Sequence, residues 1–270
     1  AIISKQPGWA EQDPDTWWLY TKQAIQQLNH SKKYDPADIA AIGIAYQMHG
    51  LVAVNKKGKA LRPSIIWCDS RAVAIGNKAF KDLSAEYCLN HLLNSPGNFT
   101  ASKLSWVKQN EPEVYKEIDK IMLPGDFIAL KLTGETSTSP SALSEGIFWD
   151  FQADSISEKI ISYYGFDKAF IPEIQPVFSI HGKITKDIAE ELKLTPGIPV
   201  AYKAGDQPNN ALSLNVMNPG EIAATAGTSG VIYAVSGKPT HDPLSRVNSF
   251  AHVNYSNTQK NIGVLLCING

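Results

Sequence analysis

Three short clusters in this 270-residue sequence carry side chains suited to chemistry. Gln47, Met48, His49 and Gly50 follow one apolar run, and Gly205, Asp206 and Gln207 follow another. Gly227, Thr228, Ser229 and Gly230 separate two more. Gln and His supply directional donors and acceptors, which is what holding a polyol requires. A carboxylate placed after a glycine at the mouth of a sheet can take the proton of an attacking hydroxyl. A small-residue turn with two hydroxyls can present its N–H groups to phosphate oxygens.

Each cluster has a plainer reading. His49 can be a satisfied polar residue in a turn, Asp206 can cap the helix that PNNALSL predicts, and residues 227–230 can be a hairpin turn. The last is neither a Walker loop, which needs a Lys after its second Gly, nor a GxGxxG fingerprint. No GxSxG, HExxH or CxxC occurs and the six histidines are scattered, so hydrolase and zinc chemistry fall away. No carboxylate pair stands out as a glycosidase couple. Trp17 and Trp18 read as a helix core face in preference to a sugar platform.

The elements around these clusters follow from apolar spacing and from Gly and Pro. Asp13 to His30 predicts a helix opened by a cap and Pro14. Asp38 to Gln47 predicts a buried strand that delivers Gln47 to Gly50 at its end. LVAVNKKGKAL predicts two short strands around a Lys-Lys-Gly turn, SIIWCD a strand, and Arg71 to Leu93 a helix. Further helices are expected at Ala101–Gln109, Glu113–Ile118, Gly125–Leu132, in SISEKIISYYG and in ITKDIAEELK. From Pro199 the chain reads as strand PVAYKA, helix PNNALSL, strand EIAATA and strand VIYAV, with NIGVLLCING strand-like at the close. Helices and strands alternate, so the fold class is α/β.

Composition narrows the function. With 43% hydrophobic and 19% charged residues the chain can bury a core. Lys plus Arg number 25 against 26 for Asp plus Glu, without runs of one sign, so neither nucleic acid nor a membrane surface is an expected partner; a small molecule is. Cys68, Cys88 and Cys267 are odd in number and far apart, which reads as free thiols in a reducing compartment. No apolar stretch reaches membrane-spanning length and no signal peptide opens the chain, so a cytoplasmic location is expected.

The clusters occur in one order with EQDPDTWW (Glu11 to Trp18), LRPSIIWCDSR (Leu61 to Arg71), NFTASKLSWVKQNEP (Asn98 to Pro112), GDFIALKLTGE (Gly125 to Glu135), AGDQPNNA (Ala204 to Ala211) and NPGEIAATAGTSGVIYAV (Asn218 to Val235). In this the chain resembles the xylulokinases of the FGGY carbohydrate kinase family across nearly its whole length. The resemblance implies an actin-like ATPase (ribonuclease H-like) fold, a mixed sheet flanked by helices. Residues 1–204 would form the sugar-binding N-terminal domain without its first strands, and residues 205–270 the start of the nucleotide-binding C-terminal domain.

It further implies ATP-dependent phosphorylation of a ketopentose, D-xylulose to its 5-phosphate foremost. Asp206 would be the catalytic base and an indirect Mg²⁺ contact. Gln47, Met48 and His49 would bind the sugar together with Asp206 and Gln207, and Gly227, Thr228, Ser229 and Gly230 would cradle the outer phosphates of ATP. Such chemistry needs positioning, Mg²⁺ and a carboxylate on the attacking hydroxyl. A homodimer is left open.

There are departures. The family opens with a strand and a phosphate loop upstream of EQDP, and its nucleotide domain extends past the point that matches Gly270, so the chain by itself is expected to be inactive. Pro208, Asn209 and Asn210 stand where small residues often follow the Asp-Gln pair, and SALSEGI lacks the Asp of a DASGT-like run. These leave ribulose, gluconate, fuculose or glycerol as alternative substrates, and a non-catalytic sugar sensor as the rival outside catalysis.

Overall fold

A computed structural model of the protein describes residues 1–226 and 230–268. After β1 (Glu11–Gln12), the Asp13 carboxylate accepts from the Asp15 N–H at 3.0 Å and Pro14 opens α1 (Pro14–His30). This is the expected cap, with proline where a missing N–H costs nothing. The next strand, β2 (Ile42–Tyr46), is shorter than its apolar run because Pro36–Asp38 winds into a 3₁₀ turn capped by Asp35. It is also buried on one face only. Ile44 and Tyr46 point inward while Gly43 and Ala45 are exposed, the two-residue alternation of a strand with one covered side.

The expected two-stranded LVAVNKKGKAL hairpin is reduced to β3 (Val52–Val54) and a single bridge to Ala60. The Lys-Lys-Gly turn does form, with Asn55 Oδ1 accepting from the N–H groups of Lys57 and Lys59. β4 (Ser64–Ile65) pairs with β1. Antiparallel to β3 runs β5 (Lys120–Met122), a strand the helical readings around it had hidden. The expected helix 71–93 is broken into α2 (Val73–Leu83), a short turn over Ala85–Tyr87 and a π-helical segment over Cys88–Leu92. Ser84 breaks it at φ +74°, and its hydroxyl accepts from the Tyr87 N–H to start a new turn.

The helices that back the site follow as α3 (Thr100–Asn110), α4 (Pro124–Thr133) and α5 (Pro140–Glu145). Gly125 lets α4 lie against β2, since a Cβ there would stand 2.1 Å from the Tyr46 ring. Then come β6 (Val200–Gly205) and α6 (Asp206–Ser213), followed by β7 (Ile222–Ala226), β8 (Gly230–Ser236), β9 (Asn248–Ala251) and β10 (Ile262–Ile268). The last four form one antiparallel sheet in the order β7-β8-β10-β9.

One apolar cluster joins Leu51, Leu104, Leu143 and Trp149 to Ala251 and Ile262, so residues on both sides of position 204 share it. A second packs Tyr46, Leu132 and Val200 behind β2, and a third packs Met48 with Ala211, Tyr233 and Phe250. Among the described residues no helix is long and apolar enough to cross a membrane.

Candidate active site

Strands β2 and β6 are parallel neighbours, with Tyr46 in register with Gly205. Both therefore end at the same edge, and residues 47–50 emerge beside residues 206–207. In α/β sheets the carboxyl ends of parallel strands are where ligands bind. Two of the three candidate clusters, distant in sequence, are thus adjacent. Residues 227–229 of the third lie outside the described residues, and Gly230 opens β8 opposite Ala226.

Gly205, not Asp206, occupies the cap of α6 and makes no side-chain cap bond. Asp206 is the first helical residue, so the plain capping role is not the one it fills. Partial burial raises its proton affinity, against hydrogen bonds from its own N–H and from the backbone and side chain of Gln207. Its carboxylate stands at the positive end of the helix, where negative charge is favoured.

His49 adopts φ +61° and is held at three points. Its carbonyl accepts from Lys103 Nζ at 2.8 Å, its ring meets Phe99 edge-on at 4.7 Å, and Nδ1 lies 2.9 Å from the carbonyl oxygen of Glu145. A carbonyl only accepts, so Nδ1 carries the proton and Nε2 is left as an acceptor. Burial, helped by the Lys103 charge and opposed by the Glu145 carbonyl, lowers the imidazole to about 3, so it is neutral. A neutral ring that accepts through Nε2 is suited to receive a hydroxyl proton in a hydrogen bond.

The flanking residues are committed to the protein. Gln47 Nε2 donates to Gln12 Oε1 at 2.8 Å, and the same oxygen accepts from Trp17 Nε1 at 3.0 Å. Met48 is buried in the cluster with Ala211 and Phe250. It lies so near β6 that a Cβ on Gly205 would come 2.6 Å from its Cγ. Glycine before Asp206 is needed for that close approach.

Sequence reasoning passed over several groups that build this edge. Lys103 is fully buried in α3 and bonds the carbonyls of both His49 and Ile66; burial lowers it to about 7 against the pull of Asp69. Glu145, at the end of α5, accepts the Tyr46 hydroxyl at 2.8 Å. Beneath the site, Arg71 pairs with Asp69 at 2.7 Å and Glu11 at 2.8 Å while stacking 3.8 Å from the centre of the Trp9 ring. Glu11, Asp69 and Arg71 fall in segments quoted above, but nothing in spacing tells that they meet.

Among the described residues no three His, Cys, Asp or Glu side chains group as a metal cage. Asp206 alone builds no all-protein cage, and its carboxylate would meet a Mg²⁺ only indirectly, through the waters and phosphate oxygens that the ion keeps. A cavity of about 510 Å³ lies elsewhere, behind β2, lined by Trp17, Ile25, Ile39, Ile128 and Leu132. It reaches Gln47 but neither His49 nor Asp206, and its walls are mostly apolar.

Residues 1–213 match the family described as the FGGY family of carbohydrate kinases, N-terminal domain. The chain is 31% identical over 251 residues to the xylulose kinase of Escherichia coli (strain K12), covering 93% of this chain and 51% of that protein. It is 30% identical to the xylulose kinase of Staphylococcus xylosus, covering 91% and 50%. A crystal structure of a kinase from Brucella ovis, described as a "xyloylose kinase", superposes with a TM-score of 0.90 at 29% identity, over 99% of this chain and 54% of that one. The expected actin-like α/β fold is therefore shared with these proteins. The chain spans about half the length of the curated relatives it matches.

Proposed function

Since the chain belongs to the FGGY family of carbohydrate kinases, we propose that the full-length protein transfers the γ-phosphoryl group of ATP to a ketopentose, with D-xylulose as the favoured substrate. The observation that supports this is the shared end of β2 and β6, from which the segments beginning at Gln47 and Asp206 leave adjacent strands. His49 accepts a sugar hydroxyl through Nε2, and Gln47 and Gln207 flank the same edge. Asp206 orients the attacking hydroxyl and takes its proton as the oxygen bonds to phosphorus. Positioning and charge neutralisation supply the rest of such a transfer.

The proposal includes Mg²⁺-bound ATP as donor, with Gly227, Thr228, Ser229 and Gly230 toward its outer phosphates and Asp206 as an indirect Mg²⁺ contact. It takes the cytoplasm as the compartment and a homodimer as the assembly to test. It also sets the division between a sugar-holding part and the start of a nucleotide-holding part at residues 204 and 205. The preference for xylulose comes from the relatives named xylulose kinases.

The test is sugar-dependent ADP release by the full-length protein with D-xylulose, D-ribulose, gluconate, fuculose and glycerol, each with wild type and Asp206→Asn. The highest kcat/KM is expected for D-xylulose, and turnover of the variant should fall by roughly 10² to 10⁴ with the sugar still bound. Near-normal turnover by Asp206→Asn would remove the base assignment. Sugar binding without any transfer in wild type would favour the sensor.

A further inference from the structure

β3 starts two residues after Gly50, and its far end opens into a second cavity, of about 480 Å³. The turn from Asn55 to Gly58 lines it, together with Lys120 of β5 and Lys131 of α4. Four ammonium groups, those of Lys56, Lys57, Lys120 and Lys131, share this space with one carboxylate, that of Asp119. The whole chain carries a formal net charge of −1, so the positive charge here is a local concentration.

The protein compensates these charges little. Among the described residues Lys56, Lys57 and Lys120 form no ion pair, and Lys120 Nζ donates only to the neutral Ala169 carbonyl. Lys131 stands 3.7 Å from Asp15, a carboxylate that is itself 54% exposed. The fold nevertheless fixes the backbone that carries them. Asn55 Oδ1 accepts from the N–H groups of Lys57 and Lys59, and Lys120 is in register with Val54. Like charges gathered at one cleft attract an anion that relieves their repulsion.

The lining also points to the kind of anion. All four cations are lysines, which hold phosphate as point charges, whereas planar carboxylates are better matched by the fork of an arginine. Trp18, Val54, Leu130 and Ile188 add apolar wall, which a bare ion would not use. The volume falls in the range of about 300 to 1,000 Å³ usual for small-molecule sites. We propose that this cavity binds a small phosphate ester, with the phosphate among the four ammonium groups and the carbon skeleton against Trp18 and Leu130. It shares no lining residue with the Gln47 to His49 loop or with Asp206, and it does not depend on the kinase reading.

Calorimetric titration of the full-length protein tests this with ribose 5-phosphate, glycerol 3-phosphate, inorganic phosphate and unphosphorylated ribose as probes. Wild type is compared with the double variant Lys56→Ala and Lys57→Ala, whose exposed side chains make no hydrogen bond among the described residues. An unchanged urea transition checks its fold. At least one of the two esters is expected to bind wild type and to lose about tenfold in affinity in the variant, with the difference shrinking as salt screens the site. Ribose should not distinguish the two proteins. Equal affinities of both esters for wild type and variant, or no ester binding, would overturn the proposal. Inorganic phosphate held as tightly as the esters would also overturn it, leaving an unspecific anion site.

Discussion

Lys103 Nζ donates to the carbonyl oxygen of His49 at 2.8 Å and to that of Ile66 at 3.0 Å, from a side chain with no exposed surface. One ammonium group thus ties the loop after β2 to the segment after β4. Lys103→Met keeps the apolar stem but leaves the His49 carbonyl without its donor, while that of Ile66 keeps the Asp69 N–H, and an unpaired buried carbonyl costs about 1 to 3 kcal/mol. Urea unfolding should show that loss, and the full-length variant should bind sugar more weakly. Unchanged stability would mean that water replaces the ammonium.

The same lysine makes stability depend on pH in a defined direction. Its folded value near 7 lies below the ordinary 10.5, so between those limits the unfolded chain holds a proton that the folded chain has released. Stability then rises with pH across that interval. Lys103→Met should flatten the rise, as measured by denaturation at pH 7 and pH 9.

His252 gives the corresponding effect on the acid side. It is fully buried, Nδ1 lies 2.9 Å from the Tyr233 hydroxyl, and Nε2 faces the Val216 carbonyl at 3.2 Å. Nε2 must therefore hold the proton, and Tyr233 donates to Nδ1. Burial lowers the ring to about 4. As pH falls from 6.5 to 4 the unfolded state gains a proton that the folded state does not, and stability drops by about 1.4 kcal/mol per pH unit from this residue. His252→Gln should lessen the dependence on pH over that range; an unaltered dependence would contradict the neutral buried ring.

Arg71 is 1% exposed and sits between Glu11 and Asp69 under the Trp9 ring. Removing it leaves two buried carboxylates with less compensation, and breaking such a pair costs about 3 to 5 kcal/mol. Arg71→Met is expected to lose that much in chemical denaturation. Arg71→Lys should recover little, because an ammonium cannot reproduce the planar fork or its stacking.

Both strand-end clusters could be located in the sequence, because apolar runs end in Gln-Met-His-Gly and Gly-Asp-Gln, although each is a weak signal by itself and only their common order with the other segments carried the resemblance. Their adjacency could not, since it comes from parallel pairing of strands distant along the chain. Lys103 escaped notice because Thr100 to Ser105 are buried all round α3, so no exposed stripe marks out an inward lysine. Glu145 escaped because SALSEGI was read for the Asp it lacks, and nothing local tells that its Glu turns inward. The reduced hairpin at 51–61 has the same origin: β3 finds its main partner in β5.

The loop from Gln47 to His49 has little left to lose. Gln47 is tied to Gln12, Met48 is set among apolar neighbours, and His49 is held by its carbonyl and its ring. On the proposed function, a sugar entering such a loop would meet hydrogen-bonding groups whose conformational entropy was already surrendered during folding, so less of the binding energy would be diverted into ordering them. The same stiffness restricts what can enter. A sugar with one hydroxyl inverted would face an Nε2 lone pair that cannot swing to meet it, and would be rejected by misfit where a mobile loop would adapt.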